Sequence, residues 1–191
     1  MHEVKVLIEG YAIWLEAHKQ RACGTITLVK GQKNTCLVDT GNVGDEDKIK
    51  KALSKEGFKP EDVNYVVNTH GDIDHVGNNC LFKKAIFISG QDIYEGDVAS
   101  FFVDKYEIEP GVEVINTPGH SIEDVSVVVR TKKGTVVVAG DIFEDENDAY
   151  DHQAWKVFSK YPKKQVESRQ KILSLADYIV PGHGKIFKVK K

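Results

Sequence analysis

Four side chains that can bind metal fall within six positions of one short stretch. The stretch follows the apolar run Val63-Val67 and contains His70, Asp72, Asp74 and His75. An extended turn can aim such closely spaced side chains at one or two cations, whereas a regular strand sends alternate ones to opposite faces. Imidazole and carboxylate together suit zinc, iron or manganese, and do not resemble an all-oxygen calcium site. Taken alone, the stretch is also compatible with a solvated loop.

Three later segments strengthen the metal hypothesis. Each places one His or Asp just beyond an apolar run and next to a glycine: His120 after Val112-Ile115, Asp141 after Val136-Ala139, and His183 after Tyr178-Val180. Glycine lets the backbone turn sharply, and loops at strand ends are where sites are usually built. Four such segments in one chain favour a shared metal site over independent coincidences.

Short β runs and two helices must position these residues. The predicted strands are Val4-Ile8, Tyr11-Leu15, Thr25-Val29, Thr35-Val38, Val63-Val67, Ala85-Ile88, Val112-Ile115, Val125-Val129, Val136-Ala139 and Tyr178-Val180. One helix is predicted from Asp45 to Lys55, with lysines on its solvated side. A second follows Pro162, and along one side of it are spaced Val166, Arg169, Ile172, Leu173 and Ala176. The pattern predicts two packed sheets with helices outside.

Composition limits the organisation and the partners. The 191 residues, 41% of them hydrophobic, suffice for one core, which predicts a single domain over 1–191. A net charge of −3 gives no global attraction for nucleic acid or an anionic membrane, so a small-molecule substrate is favoured. No run of 18 apolar residues occurs and the N-terminus lacks the order of a signal peptide, which predicts a cytoplasmic location. Oligomeric state cannot be inferred from the sequence.

Some side chains fit a structural role better than a chemical one. The three cysteines, Cys23, Cys36 and Cys80, are too few and too widely spaced for a disulfide framework, so we expect three small buried hydrophobes. The aromatic residues of the segment 91–110 are expected to pack, although they can also form a lid. The acidic segment 144–155 contains His152, which is expected at the surface.

The ordered pattern resembles that of the metallo-β-lactamase superfamily. That pattern is an Asp after an early strand, then His-x-His-x-Asp-His, then His, Asp and His. Here the matching parts are Asp39 in Leu37-Val38-Asp39-Thr40-Gly41, the 70–75 stretch, His120, Asp141 and His183, in the same order and with roughly the same spacing. The resemblance implies an αββα sandwich of two mixed sheets flanked by helices.

The resemblance also implies a dinuclear site. His70, Asp72 and His120 match the ligands of one metal, Asp74, His75 and His183 match those of the other, and Asp141 matches the bridging carboxylate. Asp39 matches a residue that supports the site by hydrogen bonding. The cofactors implied are two divalent metal ions, with zinc preferred and iron or manganese as alternatives.

Asp72 departs from the superfamily pattern, which usually has His at this position. Asp72 can ligate through a carboxylate oxygen, the first metal can be weak or missing, or the site can have lost catalysis. Two divalent ions bring +4, while Asp72, Asp74, Asp141 and a bridging hydroxide bring −4, and a neutral group is easier to bury. Asp in place of His at this position also shifts the metal preference toward iron or manganese. Flavodiiron members of the superfamily place a Glu there and use iron.

The implied activity is metal-dependent hydrolysis of an ester, thioester, amide or phosphodiester bond. Paired metals lower the pKa of water and polarise the bond under attack. Asp74 is the candidate catalytic residue that assists the attacking water. The alternatives are an iron-dependent oxidoreductase of the same fold, an RNA-cleaving nuclease that the net charge does not support, and a non-catalytic metal-binding module.

Overall fold

The computed structural model describes residues 1–151 and 153–190, so His152 lies outside the described part of the chain. Its strands, in chain order, are β1 Glu3–Ile8, β2 Tyr11–Glu16, β3 Lys19–Cys23, β4 Ile26–Lys30, β5 Thr35–Val38, β6 Tyr65–Asn68, β7 Ile86–Ser89, β8 Asp92–Glu95, β9 Val98–Phe101, β10 Lys105–Glu109, β11 Val112–Asn116, β12 Val125–Thr131, β13 Gly134–Gly140, β14 Tyr178–Pro181 and β15 Phe187–Lys188. The α-helices are α1 Glu46–Lys55, α2 Ile73–Val76, α3 Glu146–Tyr150 and α4 Pro162–Leu175. Single 3₁₀ turns occupy Pro60–Asp62, Asn79–Leu81 and Ala154–Val157.

The strands form two large mixed sheets and one separate hairpin. The first sheet has the order β1-β4-β5-β6-β7-β8-β9, and β5, β6 and β7 are mutually parallel. The second has the order β10-β11-β12-β13-β14-β15, and β13 and β14 are its parallel pair. The hairpin consists of β2 and β3.

Alternation along the central strands explains why the two sheets pack face to face. In β6, Val67 belongs to the cluster between the sheets, while its neighbour Val66 belongs to the cluster under α1. In β13, Val138 points into the same central cluster and Val137 lies under α4. Successive strand residues point to opposite faces, so these apolar runs can cover both sides of a sheet.

Each long helix covers the outer face of one sheet. Ile49 and Leu53 of α1 pack with the outer residues of the first sheet, and Ile172 of α4 packs with those of the second. The order of layers is therefore helix, sheet, sheet, helix, which confirms the predicted αββα sandwich. None of the helices in the described ranges has the length and apolar character that crossing a membrane requires.

The structure corrects two expectations about burial. Val166 is one of the residues spaced along one side of α4 but is 39% exposed, and the polar residues Gln165 and Ser168 are buried instead. The expectation of three buried cysteines is wrong for Cys80, which is exposed, whereas Cys23 and Cys36 are buried. Cys80 lies in a 3₁₀ turn at the surface, where the core does not reach it.

The segment 91–110 forms regular structure, because β8, β9 and β10 occupy most of it. Phe102 is buried and its ring lies 6.1 Å from that of Tyr106, as expected for packing residues. Tyr94 and Phe101, in contrast, are 42% and 76% exposed. The packing interpretation therefore holds for only part of this segment.

The strand order brings the candidate ligands to one edge of the sandwich. Asp39 follows β5 and His70 follows β6, which are parallel neighbours. Asp141 follows β13 and His183 follows β14, the parallel pair of the other sheet. Parallel strands end on the same edge, so the two pairs of loops meet across the sandwich.

A buried carboxylate ties the sheets together at the opposite end of β5. Glu109, at the end of β10, accepts hydrogen bonds from the backbone N–H groups of Gln32, Lys33 and Asn34 in the turn between β4 and β5. Its Oε1 also lies 2.9 Å from Nε2 of His2. Burial raises the pKa of Glu109, but these donors outweigh burial, and the pKa is lowered.

Glu109→Ala should lower the free energy of unfolding by about 3 kcal/mol, because it leaves several buried donors without an acceptor. Urea unfolding monitored by circular dichroism measures this change, and Glu107→Ala, at an exposed position of the same strand, is the control. Since the folded pKa of Glu109 is below its unfolded value, its stabilisation is present at neutral pH and is lost as the pH falls through the folded pKa. The free energies of unfolding of the wild type and of Glu109→Ala should therefore become equal in acid. Equal stability of these two proteins at neutral pH would contradict the role of Glu109.

Candidate metal centre

Seven side chains predicted as ligands come together in one group at the strand ends. They divide into two sets of three, with Asp141 between them. Donor atoms that share one ion at about 2.0–2.2 Å lie roughly 3–4 Å from each other.

The first set contains His70, Asp72 and His120. Asp72 Oδ2 lies 3.6 Å from His70 Nε2 and 3.2 Å from His120 Nε2. The His70 imidazole is the main cause that lowers the pKa of Asp72, and burial opposes it. The Asp72 side chain is 46% exposed, whereas those of His70 and His120 are 1% and 8% exposed. One carboxylate oxygen thus faces two buried imidazoles from the solvent side.

The second set contains Asp74, His75 and His183. Asp74 Oδ2 lies 3.9 Å from Nε2 of both histidines. His75 is fully buried and the side chain of His183 is 6% exposed, while that of Asp74 is 21% exposed. Like the first set, it presents two imidazoles and one carboxylate to a common point.

Asp141 lies between the two sets. Its Oδ2 is 3.6 Å from His70 Nε2, 3.8 Å from His120 Nε2 and 3.2 Å from His183 Nε2. Its other oxygen, Oδ1, is 3.3 Å from His75 Nε2. A single carboxylate therefore reaches imidazoles of both sets, which is the geometry that a bridging ligand needs.

The local backbone differs from the extended turn expected for the 70–75 stretch. Asp72 has extended dihedral angles, but the next four residues form the single-turn helix α2. His75 projects from this turn into the buried interior, while Ile73 is 66% exposed. The helix changes the direction of the chain after Asp72, which separates the first set of ligands from the second.

Asp39 lies outside the seven and orients one of them. Its Oδ2 lies 2.8 Å from Nδ1 of His75. Asp39 also accepts two hydrogen bonds from Thr69, at Oδ1 from the backbone N–H and at Oδ2 from the hydroxyl. Asp39 has a positive φ of 60°, in the left-handed region that Asp tolerates better than most residues. A hydrogen bond to Nδ1 fixes the ring and leaves Nε2 free to face a metal.

Two glycines allow the backbone to approach the centre closely. A Cβ atom at Gly182 would lie 1.9 Å from Asp141 Oδ1, and one at Gly24 would lie 2.7 Å from the ring of His75. Any side chain at these two positions would displace a candidate ligand. The glycine beside His183 is therefore a steric requirement of the site as well as a turn residue.

The group has free donor atoms in the right places for metal ions. His70 Nε2, His75 Nε2 and Asp141 Oδ1 are buried side-chain atoms without a hydrogen-bond partner. Buried polar atoms are normally paired, because leaving one unpaired costs about 1–3 kcal/mol. All three atoms face the interior of the seven-residue group, so the residues present fit two bound cations.

The pKa values of these side chains show how strongly their charges interact. Burial raises the pKa of Asp141, but the neighbouring imidazoles of His75, His70 and His183 outweigh burial and hold it well below its usual range. Burial lowers the pKa of His183, but the charge and hydrogen bond of Asp141 outweigh burial and raise it to about 9. Acids and imidazoles here depend on each other for charge compensation.

Sequence reasoning missed two charged residues at the site. Glu144 has a partly buried carboxyl whose Oε2 lies 4.0 Å from His183 Nε2. Burial, then the charge of Asp141, raises the pKa of Glu144 to about 9. Lys160 places its Nζ 3.9 Å from Asp72 Oδ1. The position of Glu144 three residues after Asp141 was a usable signal, whereas nothing in the sequence around Lys160 pointed to the centre.

Comparison with known proteins gives relatives along the whole chain. The family model described as the metallo-beta-lactamase superfamily matches residues 24–90. Metallo-beta-lactamase domain-containing protein 1 of Xenopus laevis is 40% identical, covering 100% of this chain and 83% of the relative. A probable metallo-hydrolase of Methanocaldococcus jannaschii is 31% identical, covering 98% of this chain and 90% of the relative.

Solved structures share the fold. A putative metallo-beta-lactamase from Thermotoga maritima superposes with a TM-score of 0.76 at 20% identity, covering 98% of this chain and 99% of the other. An N-acyl homoserine lactone hydrolase, with the product N-hexanoyl-L-homoserine bound at its catalytic metal centre, gives a TM-score of 0.73 at 18% identity, covering 95% and 92%. At these identities the likeness supports the fold alone.

Proposed function

This chain belongs to the metallo-beta-lactamase superfamily, and we propose that it is a hydrolase that binds two divalent metal ions with the seven residues of the candidate centre. The relatives described as metallo-hydrolase and lactone hydrolase support metal-dependent hydrolysis in general. One observation carries the proposal for two ions: Asp141 lies between two sets of ligands and within 3.8 Å of an imidazole nitrogen of each.

The geometry supports Asp72 as a ligand. Its Oδ2 is as close to the imidazoles of its set as Asp141 Oδ2 is, at 3.2–3.6 Å against 3.6–3.8 Å. A lost ligand would be free to turn away into solvent, given that Asp72 is 46% exposed. We therefore favour ligation by Asp72 over an absent first metal or a site without catalysis.

With Asp72 as a ligand, both sets consist of two imidazoles and one carboxylate. Zinc remains the metal we propose, since imidazole and carboxylate both bind it well. Two histidines with one carboxylate are also a common ligand set for non-haem iron, and added carboxylates suit manganese. These two metals are the alternatives.

In the proposed reaction, side chains of the protein orient the metal ligands, and one carboxylate accepts a proton. The seven residues of the candidate centre would hold two metal ions, which would supply a water of lowered pKa and polarisation of the oxygen of the bond under attack. Asp39 holds the ring of His75, and Gly182 lets the backbone pass beside Asp141 without displacing it. Asp74, with its carboxylate 21% exposed on the solvent side of its set, is the proposed acceptor for the proton of the attacking water.

The charges at the centre favour a small substrate with an ester, thioester or amide bond. Asp72, Asp74 and Asp141 converge there, and the partly buried carboxyl of Glu144 lies beside them. These carboxylates offset the charge of two divalent ions and the chain has a net charge of −3, so no excess positive charge attracts a polyanion and RNA cleavage is a weaker proposal. An ester is also the bond that the lactone hydrolase of the same fold cleaves, as its bound product indicates.

A second candidate function is an iron-dependent oxidoreductase. The observation that favours it is the pair of two-histidine, one-carboxylate ligand sets. Visible colour and stoichiometric iron in protein purified without added metal would support it, whereas colourless protein with zinc and esterase turnover would support the hydrolase.

Asp74→Ala and His183→Ala should each abolish turnover of aryl ester substrates and lower the metal content, because each removes a ligand of the second set. Turnover with p-nitrophenyl acetate and elemental analysis of the purified proteins measure the two effects. Asp47→Ala, which removes a fully exposed carboxylate, should change neither. Wild-type activity in both site variants would contradict the assignment.

Asp72→His should keep two metals bound and shift the preference toward zinc over manganese, because a neutral imidazole replaces a hard carboxylate. Competition between the two ions, followed by elemental analysis, measures the ratio in wild type and variant. An unchanged ratio would show that Asp72 does not set the metal preference.

A further inference from the structure

Glu144 places a fourth carboxyl group against both ligand sets. Its Oε2 lies 4.0 Å from His183 Nε2, a separation similar to the 3.9 Å between His183 Nε2 and Asp74 Oδ2 within the second set. One of its oxygens also lies within 4.8 Å of donor atoms of His120 and Asp141. Glu144 therefore faces His120 of the first set, His183 of the second and the carboxylate between them.

The backbone holds Glu144 firmly in this position. Its N–H donates to Asp148 Oδ2 at 2.9 Å, and its carbonyl oxygen accepts from the N–H of His183 at 2.8 Å. Asp148 is held in turn by Arg169, whose guanidinium donates to Asp148 Oδ2 and to two backbone carbonyl oxygens. A buried ion pair thus fixes the segment that carries Glu144.

The Glu144 carboxyl makes no hydrogen bond with any described residue, although its side chain is only 16% exposed. A carboxyl group kept largely from water without a partner is unfavourable. The groups nearest to it are the donor atoms of the candidate centre, which is where a cation would compensate its charge.

We propose that Glu144 is a further metal ligand of the centre, shared between the two sets. The proposal rests on the proposed two-metal function. It gives the centre four carboxylates and four imidazoles, a donor set harder than that of three carboxylates and four imidazoles. Its specific consequence is a higher coordination number, and tighter binding of Mn²⁺ and Co²⁺ than the same centre would show without the Glu144 carboxylate.

The local charges accommodate the additional carboxylate. Two divalent ions bring +4, and Asp72, Asp74, Asp141 and a hydroxide bring −4, so an ionised Glu144 leaves one negative charge in excess. Lys160 lies 3.9 Å from Asp72 and brings one positive charge. Its side chain is 58% exposed, so water screens part of this compensation.

Cobalt substitution of the full chain tests the proposal without relying on turnover. Glu144→Gln keeps the size of the side chain and removes the anionic oxygen. It should weaken Co²⁺ and Mn²⁺ binding by roughly tenfold or more, as loss of a group that supports a metal site typically does. It should also strengthen the visible d–d absorption per bound Co²⁺, because a lower coordination number gives more intense bands.

Two further variants make the result decisive. Glu146→Gln, at an exposed position of α3, should match the wild type in affinity and spectrum. Glu144→Asp keeps a carboxylate and should recover part of the affinity that Glu144→Gln loses. Far-ultraviolet circular dichroism checks that every variant is folded.

The outcomes separate the two proposals. If Glu144→Gln binds two Co²⁺ with wild-type affinity and spectrum, Glu144 is not a ligand, and the two-metal function stands. If Glu144→Asp and Glu144→Gln lose affinity equally, the carboxylate has no role of its own, and the inference is wrong. If the wild type binds no Co²⁺, Mn²⁺ or Zn²⁺, both the inference and the proposed function are wrong.

Discussion

The buried charge of Asp141 is the constraint on which the site depends. Its carboxylate is almost fully buried and has imidazole nitrogens around both oxygens, and one of these oxygens has no hydrogen bond. An uncompensated buried carboxylate is costly, so Asp141 requires either protonated histidines or cations beside it. Burial alone lowers the pKa values of His75 and His183, but the charge of Asp141 raises them against that effect, which corresponds to the first solution. Two bound metal ions, as we propose, would be the second solution, and the one that would allow hydrolysis.

The sandwich supplies this arrangement because each sheet contributes parallel strands that end at the same edge. Asp39 and His70 leave one sheet, Asp141 and His183 leave the other, and the loops meet where neither sheet continues. The close approach requires glycine, since a side chain at Gly182 would overlap Asp141. With Asp72 as the proposed ligand, the two ligand sets would be chemically alike, which would distinguish this centre from the usual superfamily pattern with His at this position.

The sequence predicted the layers of the fold and the seven candidate ligands, because apolar alternation and spacing after strand ends depend on local order. Features that depend on contacts distant in sequence were missed. Glu144 reaches the site only because Asp148 and Arg169 hold its segment. Burial of Gln165 in place of Val166 follows from its contact with Gly119 and its hydrogen bond to Asp141 O, which helical periodicity cannot reveal. Cys80 is exposed because the 3₁₀ turn that contains it lies at the surface, and the local sequence does not show where that turn lies.

The most direct test of the account is anomalous X-ray diffraction from crystals of the protein loaded with Zn²⁺, collected on both sides of the zinc absorption edge. The account predicts two anomalous peaks about 3.5–4 Å apart, one beside each set of ligands and both in contact with Asp141. A single peak, or two peaks of which neither contacts Asp141, would contradict it.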